Sequence, residues 1–284
     1  MNHPPVLFAV AKAMIRRRIR GGGRLISVLG KLGYFDNRRV RYRLKPNYYV
    51  FVPIYRPERW DRIDLLEYER GLITVIARAA SEFQGPVTVV DCGADIGLIS
   101  ALVAAEIDQV SRIIAFEPSD EASPILRRTL AELPFETKAI QAGVCDFAGR
   151  GELKLPSYSE SHHARYLVQV PQGGFPVTTI DATVSDAANV LIKIDVEGGE
   201  INVIRGGKRV LSEAKKAIVS VEAHPLVFQR TGIDPILILR ELAAIRPFRF
   251  VVAETGQSKL DLNRPFFEQE AHDGTIYNIV CSSR

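Results

Sequence analysis

The sequence predicts an α/β protein built on a mainly parallel sheet with helices on both faces. Two observations carry this. From Val87 onward, short β-branched runs alternate with stretches of helical periodicity. The last two strand-like runs, Phe248 to Ala253 and Thr275 to Cys281, have no helical stretch between them, so the final strand is expected to run antiparallel. With 284 residues, 46% hydrophobic and 25% charged, the chain suits one large core with additions. No run approaches the roughly 18 to 20 uninterrupted apolar residues that span a bilayer.

Residues 1–85 read as a basic accessory region of helix and β-hairpin, and 86–284 as the main domain. Val6 to Ile15 is apolar except for Lys12, and Arg16, Arg17, Arg18 and Arg20 follow before Gly21-Gly22-Gly23 ends the helix. Met1 to Lys45 carries twelve Lys or Arg and one acid, Asp36, for a charge of +11; the rest of the chain is −7. A secretory signal places its charges before the apolar run. The reversed order reads as an amphipathic surface helix, expected to make peripheral contact with an anionic membrane. A merely solvated helix is the alternative, and nucleic acid the less favoured partner. Val40, Tyr42 and Leu44 alternate with basic residues, Pro46-Asn47 makes a turn, and Tyr48 to Ile54 completes a hairpin. Asp64 to Ala80 has helical spacing and leads to a turn at Gly85-Pro86. Cys92, Cys145 and Cys281 lie far apart, which suits a reducing cytoplasm.

In the main domain, strands are expected at Val87 to Val90, Arg112 to Phe116, Thr137 to Ala142, Val190 to Ile194 and Ala217 to Val221. Helices are expected at Ile96 to Glu106, Asp120 to Leu133, Gly199 to Leu211 and Pro235 to Ile245. Cys145 to Ser185 is too long for a simple connection and reads as an insertion with short strands at Glu152 to Leu155 and Val177 to Ile180. Its polar and aromatic stretch, with Tyr158, His162, His163 and Tyr166, is expected to shape a substrate pocket.

Asp91-Cys92-Gly93-Ala94-Asp95-Ile96-Gly97 follows the first strand and opens the first helix. Small residues there admit a ligand close to the backbone, and the helix start offers N–H groups. Glu117, before Pro118, ends the second strand twenty residues later, where a carboxylate can accept both ribose hydroxyls of a nucleoside. The pairing indicates an adenosine-containing cofactor. A dinucleotide loop wants G-x-G-x-x-G, whereas here Gly93 and Gly97 are spaced G-x-x-x-G. Asp91 and Asp95 disfavour a pyrophosphate but suit a sulfonium with an ammonium group, which favours S-adenosylmethionine over NAD.

Lys193-Ile194-Asp195-Val196-Glu197-Gly198-Gly199-Glu200 ends the fourth strand, and alternation sends Lys193, Asp195 and Glu197 to one side. Glu222-Ala223-His224-Pro225 ends the fifth. A histidine or carboxylate here can deprotonate an acceptor hydroxyl, with Asp195, Glu197 and His224 the candidates in that order. Asp195 and Glu222 together hold no clear metal ligand set, so no metal is expected.

The segments VVDCGADIGLIS, IIAFEPSD, VTTID, LIKIDVEGGEINVIRGG and VSVEAHP resemble the FkbM family of S-adenosylmethionine-dependent methyltransferases. The match runs from about Tyr68 to His224. It implies a class I methyltransferase (Rossmann-like) fold, with a seven-stranded sheet ordered 3-2-1-4-5-7-6 and strand seven antiparallel. It implies cofactor contacts from Asp91, Gly93, Ala94, Asp95 and Gly97, and Glu117 with Pro118 at the ribose. Ala142 and Gly143 would lie by the adenine and Asp195 near the methionine moiety. Asp95 departs from the family's usual asparagine. Members methylate hydroxyls of sugars, polyketides or other secondary metabolites, so O-methylation of a sugar, glycan or metabolite is the expected function, in the cytoplasm or at the inner membrane face. The rival readings are an NAD-dependent oxidoreductase and a non-catalytic module that binds nucleic acid or membrane.

Overall fold

The computed structural model describes residues 6–32, 34, 39–53, 69–154 and 166–284. In chain order it begins with helices α1 (Val6–Arg16) and α2 (Gly22–Lys31), strands β1 (Arg39–Lys45) and β2 (Tyr48–Pro53), and helix α3 (Arg70–Ala80). Then come β3 (Val87–Cys92), α4 (Leu98–Glu106), β4 (Val110–Phe116), α5 (Ser123–Leu130) and β5 (Glu136–Ile140). β6 (Gly143–Val144) leads into the insertion, which holds β7 (Gly149–Lys154), β8 (Tyr166–Val170), β9 (Phe175–Thr178) and α6 (Ile180–Thr183). The second half runs β10 (Asn189–Ile194), α7 (Glu200–Arg205), α8 (Lys208–Glu213), β11 (Lys216–Ala223), α9 (Pro225–Thr231), α10 (Ile236–Ile245), β12 (Phe248–Val252) and β13 (Tyr277–Ser283).

The central sheet has the order β12-β13-β11-β10-β3-β4-β5. Numbered within the sheet, its seven strands run 3-2-1-4-5-7-6 from the β5 edge. β13 pairs antiparallel with both β11 and β12, while β5, β4, β3, β10 and β11 are parallel. Period-two alternation divides each strand between two cores. Val87, Val89, Ile113, Ala115, Leu191 and Ile218 face the core under α3, α4 and α5. Val90, Ile114, Val190, Ile192, Val219 and Val221 face the one under α8 and α10. This double burial explains why the strands read as continuous apolar runs.

The β1–β2 hairpin forms where the alternation predicted it, with Tyr42 opposite Val50. Val50, Phe51 and Val52 enter the same core as α3, α4 and α5, and the Phe51 N–H donates to Thr129 Oγ1 at 3.2 Å. A boundary at residue 85 therefore divides the sequence but not the core. All three cysteines are buried and free, and burial pushes their thiols up, that of Cys145 to about 11.

Several expectations need correcting. The helix predicted from Gly199 to Leu211 is two helices. Gly206 passes so close to the insertion that a Cβ there would lie 2.0 Å from the Cys145 carbonyl oxygen. Asp181 then gives α8 its own start, accepting the Arg209 and Val210 N–H groups at 2.8 and 2.9 Å. α5 begins at Ser123, with Pro124 in its first turn, rather than at Asp120. In the arm, the glycines do not simply end a helix, because Gly22 starts α2. The insertion carries one strand more than predicted, β8, and forms a second sheet ordered β6-β9-β7-β8. Ile180 opens α6 instead of ending a strand, because Thr179 caps that turn through Oγ1. Tyr158, His162 and His163 lie outside the described residues, as does the side chain of Tyr166.

Candidate active site

The carboxyl ends of β4, β3, β10 and β11 lie side by side. At the end of β3 the chain turns sharply, and the Gly93 and Ala94 N–H groups both donate to the Phe116 carbonyl of β4, at 3.1 and 2.9 Å. On the other side, the Asp195 N–H donates to the Cys92 carbonyl at 3.0 Å. β10 crosses the loop so closely that a Cβ on Gly93 would sit 1.9 Å from the Asp195 carbonyl oxygen, and φ there is +79°. Only glycine fits. Asp95 follows at φ 48°, a left-handed conformation that aspartate and asparagine tolerate better than other side chains. The departure from asparagine thus keeps the backbone requirement.

Glu117 ties this loop to the next strand. Its Oε2 accepts the Asp95 N–H and its Oε1 the Ser119 N–H, both at 2.9 Å. Burial raises its pKa, while the bond from Ser119 opposes the rise. A carboxylate has about four lone-pair sites, so each oxygen can still accept a ligand hydroxyl. Pro118 continues from Glu117, and Ala142 and Gly143 leave the neighbouring end of β5, where the Ile140 carbonyl accepts the Glu117 and Ala142 N–H groups. The predicted cofactor residues therefore fall on adjacent strand ends.

Lys193 joins the two halves of the site. Its Nζ donates to the Gly93 carbonyl at 2.8 Å and pairs with Asp195 at 3.1 Å and Asp91 at 3.6 Å. Burial alone would lower its pKa, but Asp195 and Asp91 outweigh that and hold it above the ordinary lysine value. Asp91 is 1% exposed and also accepts Ser100 Oγ–H at 2.6 Å.

The far side of Lys193 is more acidic than one cation can balance. Burial, then Asp195 and Glu200, push Glu197 up to about 8. Burial, then Asp195 and Glu197, push Glu222 up to about 9. Glu197 sits at φ 57°, with its carbonyl held by Arg230 Nη2, and Glu200 turns back to accept the Gly198 N–H at 2.8 Å. His224 accepts the Leu226 N–H through Nδ1 at 3.1 Å and so caps α9. Any proton it moves would go through Nε2. That helix was not anticipated, although His-Pro before it and Gly232 after it are start and stop signals.

Sequence reading also missed three members of the cluster. Asn278 on β13 donates through Nδ2 to Glu69 at 3.2 Å and Glu254 at 3.0 Å. Burial, then Glu254 and Asp195, raise the pKa of Glu69. A cleft opens beside Glu222, lined also by Gly198, Glu200, His224, Phe228 and Pro235. Phe228 is backed by the Phe267 ring at 5.4 Å and the His272 ring at 6.0 Å.

The methyltransferase FkbM domain matches residues 91–248, more than half of the chain, from the end of β3 to the start of β12. No curated protein sequence matches it. Among solved structures, it is similar to a methyltransferase FkbM from Methylobacillus flagellatus KT, with 20% identity and a TM-score of 0.47. That likeness covers 70% of this chain and 44% of the other, so the chain spans less than half of that relative. A precorrin-6y C5,15-methyltransferase from Geobacter metallireducens GS-15 is similar over 75% of this chain and 88% of its own, with 14% identity and a TM-score of 0.41. A SAM-dependent O-methyltransferase from Thermotoga maritima is similar over 74% and 64%, with 16% identity and a TM-score of 0.39. With its α/β fold, its mixed central sheet and a domain match that takes in both the Asp91–Gly97 loop and the acidic strand ends, the chain belongs to the FkbM methyltransferase family.

Proposed function

We propose that the protein is an S-adenosylmethionine-dependent O-methyltransferase acting on a hydroxyl of a sugar, glycan or related metabolite. The observation that carries the cofactor assignment is the charge at the strand ends. Asp91, Asp95, Glu117 and Asp195 surround the loop, with Lys193 already committed to two of them. A pyrophosphate would meet repulsion there, whereas a ligand bearing sulfonium and ammonium charges meets attraction. When bound, S-adenosylmethionine supplies a methyl group already activated for transfer. Asp91 to Gly97 would hold it at the loop, Glu117 would accept its ribose hydroxyls, and Ala142-Gly143 would flank its adenine.

What remains for the chain is to align the acceptor and take its proton. Burial and neighbouring carboxylates raise Glu197 to about 8 and Glu222 to about 9, nearer the range of a working base than an ordinary carboxylate, which favours Glu197, with Glu222 beside it, as the proton acceptor. A cation in the site lowers both of their raised pKa values and frees a carboxylate when the acceptor arrives. Carboxylates beside the Phe228 ring suit a polyhydroxylated acceptor, which offers hydroxyls to the former and C–H faces to the latter.

The test is a thermal shift with S-adenosylhomocysteine and with NADH, followed by methyl transfer to a panel of sugar and metabolite hydroxyls. Stabilisation by S-adenosylhomocysteine alone is expected. Glu197→Gln should keep that shift while turnover falls about 100-fold or more, in the range of general-base removal. A shift with NADH alone would replace this reading by an oxidoreductase.

A further inference from the structure

The helical arm is not used by the site above, and its surface is unlike the rest of the molecule. Eleven large apolar side chains are exposed among the described residues, and six of them, Val6, Leu7, Val10, Ile19, Val28 and Leu32, lie in this short segment. They are interspersed with the exposed cations Arg17, Arg18, Arg20, Arg24 and Lys31, and no acid occurs before Asp36. Phe8, Ala11 and Ile26 close a small core between α1 and α2, and Lys12 stacks over Tyr42 of the hairpin. The arm is thus a folded pair of helices seated on the body; Ile15, Leu25 and Leu29 pack partly against its core, and six aliphatic side chains are turned to solvent.

We infer that α1 and α2 form a docking surface for an anionic phospholipid bilayer. The helices have 11 and 10 residues, and no helix among the described residues is long and apolar enough to cross a membrane. The arm would lie in the interface, its aliphatic residues entering the acyl boundary and its arginines meeting lipid phosphates. Charge separates this occupant from the others. A second copy docking on the same face would bring two arginine clusters together, which costs free energy. A nucleic-acid backbone would satisfy the arginines but leave the aliphatic residues in water, and the exposed large apolar set includes no aromatic side chain for stacking on bases. An anionic bilayer satisfies both.

The full chain should float with phosphatidylcholine vesicles containing phosphatidylglycerol and not with phosphatidylcholine alone. Two variants at exposed positions separate the contributions, Val6→Glu with Val10→Glu, and Arg17→Gln with Arg20→Gln and Arg24→Gln. Each should lower vesicle partitioning about tenfold or more while keeping the thermal transition of the parent and its response to S-adenosylhomocysteine. That second readout keeps the failure of this inference distinct from the failure of the cofactor assignment. Absence of binding to anionic vesicles would overturn the inference. So would apolar variants that bind vesicles as the parent does, which would assign a soluble polyanion instead. Light scattering that shows a dimer abolished by Val6→Glu with Val10→Glu, without vesicle binding, would assign the face to a second copy.

Discussion

The two halves of the site are built on opposite principles. Around β3 and β4, most polar groups are matched, although Asp91 Oδ1 accepts no hydrogen bond and burial raises the pKa of Glu117 as well. Glu117 accepts two backbone N–H groups, the Phe116 carbonyl takes two more, and Asp91 has Ser100 and Lys193. Around β10, β11 and β13, carboxylates outnumber cations, and Glu69, Glu197 and Glu222 all have raised pKa values. The first half is shaped before any ligand arrives. The second retains repulsion that a cation relieves. The contrast teaches where ligand binding can do electrostatic work.

The most severe way to break this division is to remove the residue shared by both halves. Lys193→Met leaves Asp91 and Asp195 facing each other without their cation. Losing one partner of a buried ion pair costs about 3–5 kcal/mol, so unfolding in urea should show a loss of that order. A loss below about 1 kcal/mol, the range of exposed pairs, would mean that Lys193 is not what joins the halves.

Glu117→Ala strikes the ordered half alone. It removes the acceptor of two backbone donors and, on the proposed function, the partner of the ribose. Loss of two charge-assisted hydrogen bonds should weaken S-adenosylhomocysteine binding by calorimetry about 100-fold. Unchanged affinity would remove the nucleoside from this strand end.

The smallest effect sharpens the strained half. Glu197 and Glu222 have folded values of about 8 and 9 against an ordinary 4.5, so the folded state holds their protons more tightly than the unfolded chain does. Their contribution to stability is complete below about pH 4.5 and is lost as pH rises towards 9. The melting temperature of the ligand-free protein should decline across that window. Glu222→Gln, which cannot ionise, should decline less towards the alkaline end. Identical pH profiles for the two proteins would show that Glu222 carries no such strain.

Legibility in the sequence followed the same division. The placement of Asp91 to Gly97 and Glu117 at adjacent strand ends was readable because it depends on position within one strand–loop–helix unit. Lys193, Asp195 and Glu197 were readable as one polar run, but not by alternation, since β10 ends at Ile194 and Glu197 lies beyond it at φ 57°. Glu69 and Asn278 were not, since 209 residues separate them and neither stands in a motif. The break between α7 and α8 was equally hidden. Its cap, Asp181, reaches Arg209 from 28 residues upstream.

By itself, the sequence determined the alternation of strands and helices, the hairpin, the tight loop after β3 and the charge imbalance of the arm. All of these depend on periodicity, turn chemistry or composition within a few tens of residues. Tertiary structure alone decided which carboxylates meet. The sheet order places β13 beside β11 and so brings Asn278, Glu69 and Glu254 to the acidic end of the site. It also decided the tone of each carboxylate, because burial and neighbouring charge set a pKa, and both arise only when distant strand ends are packed together.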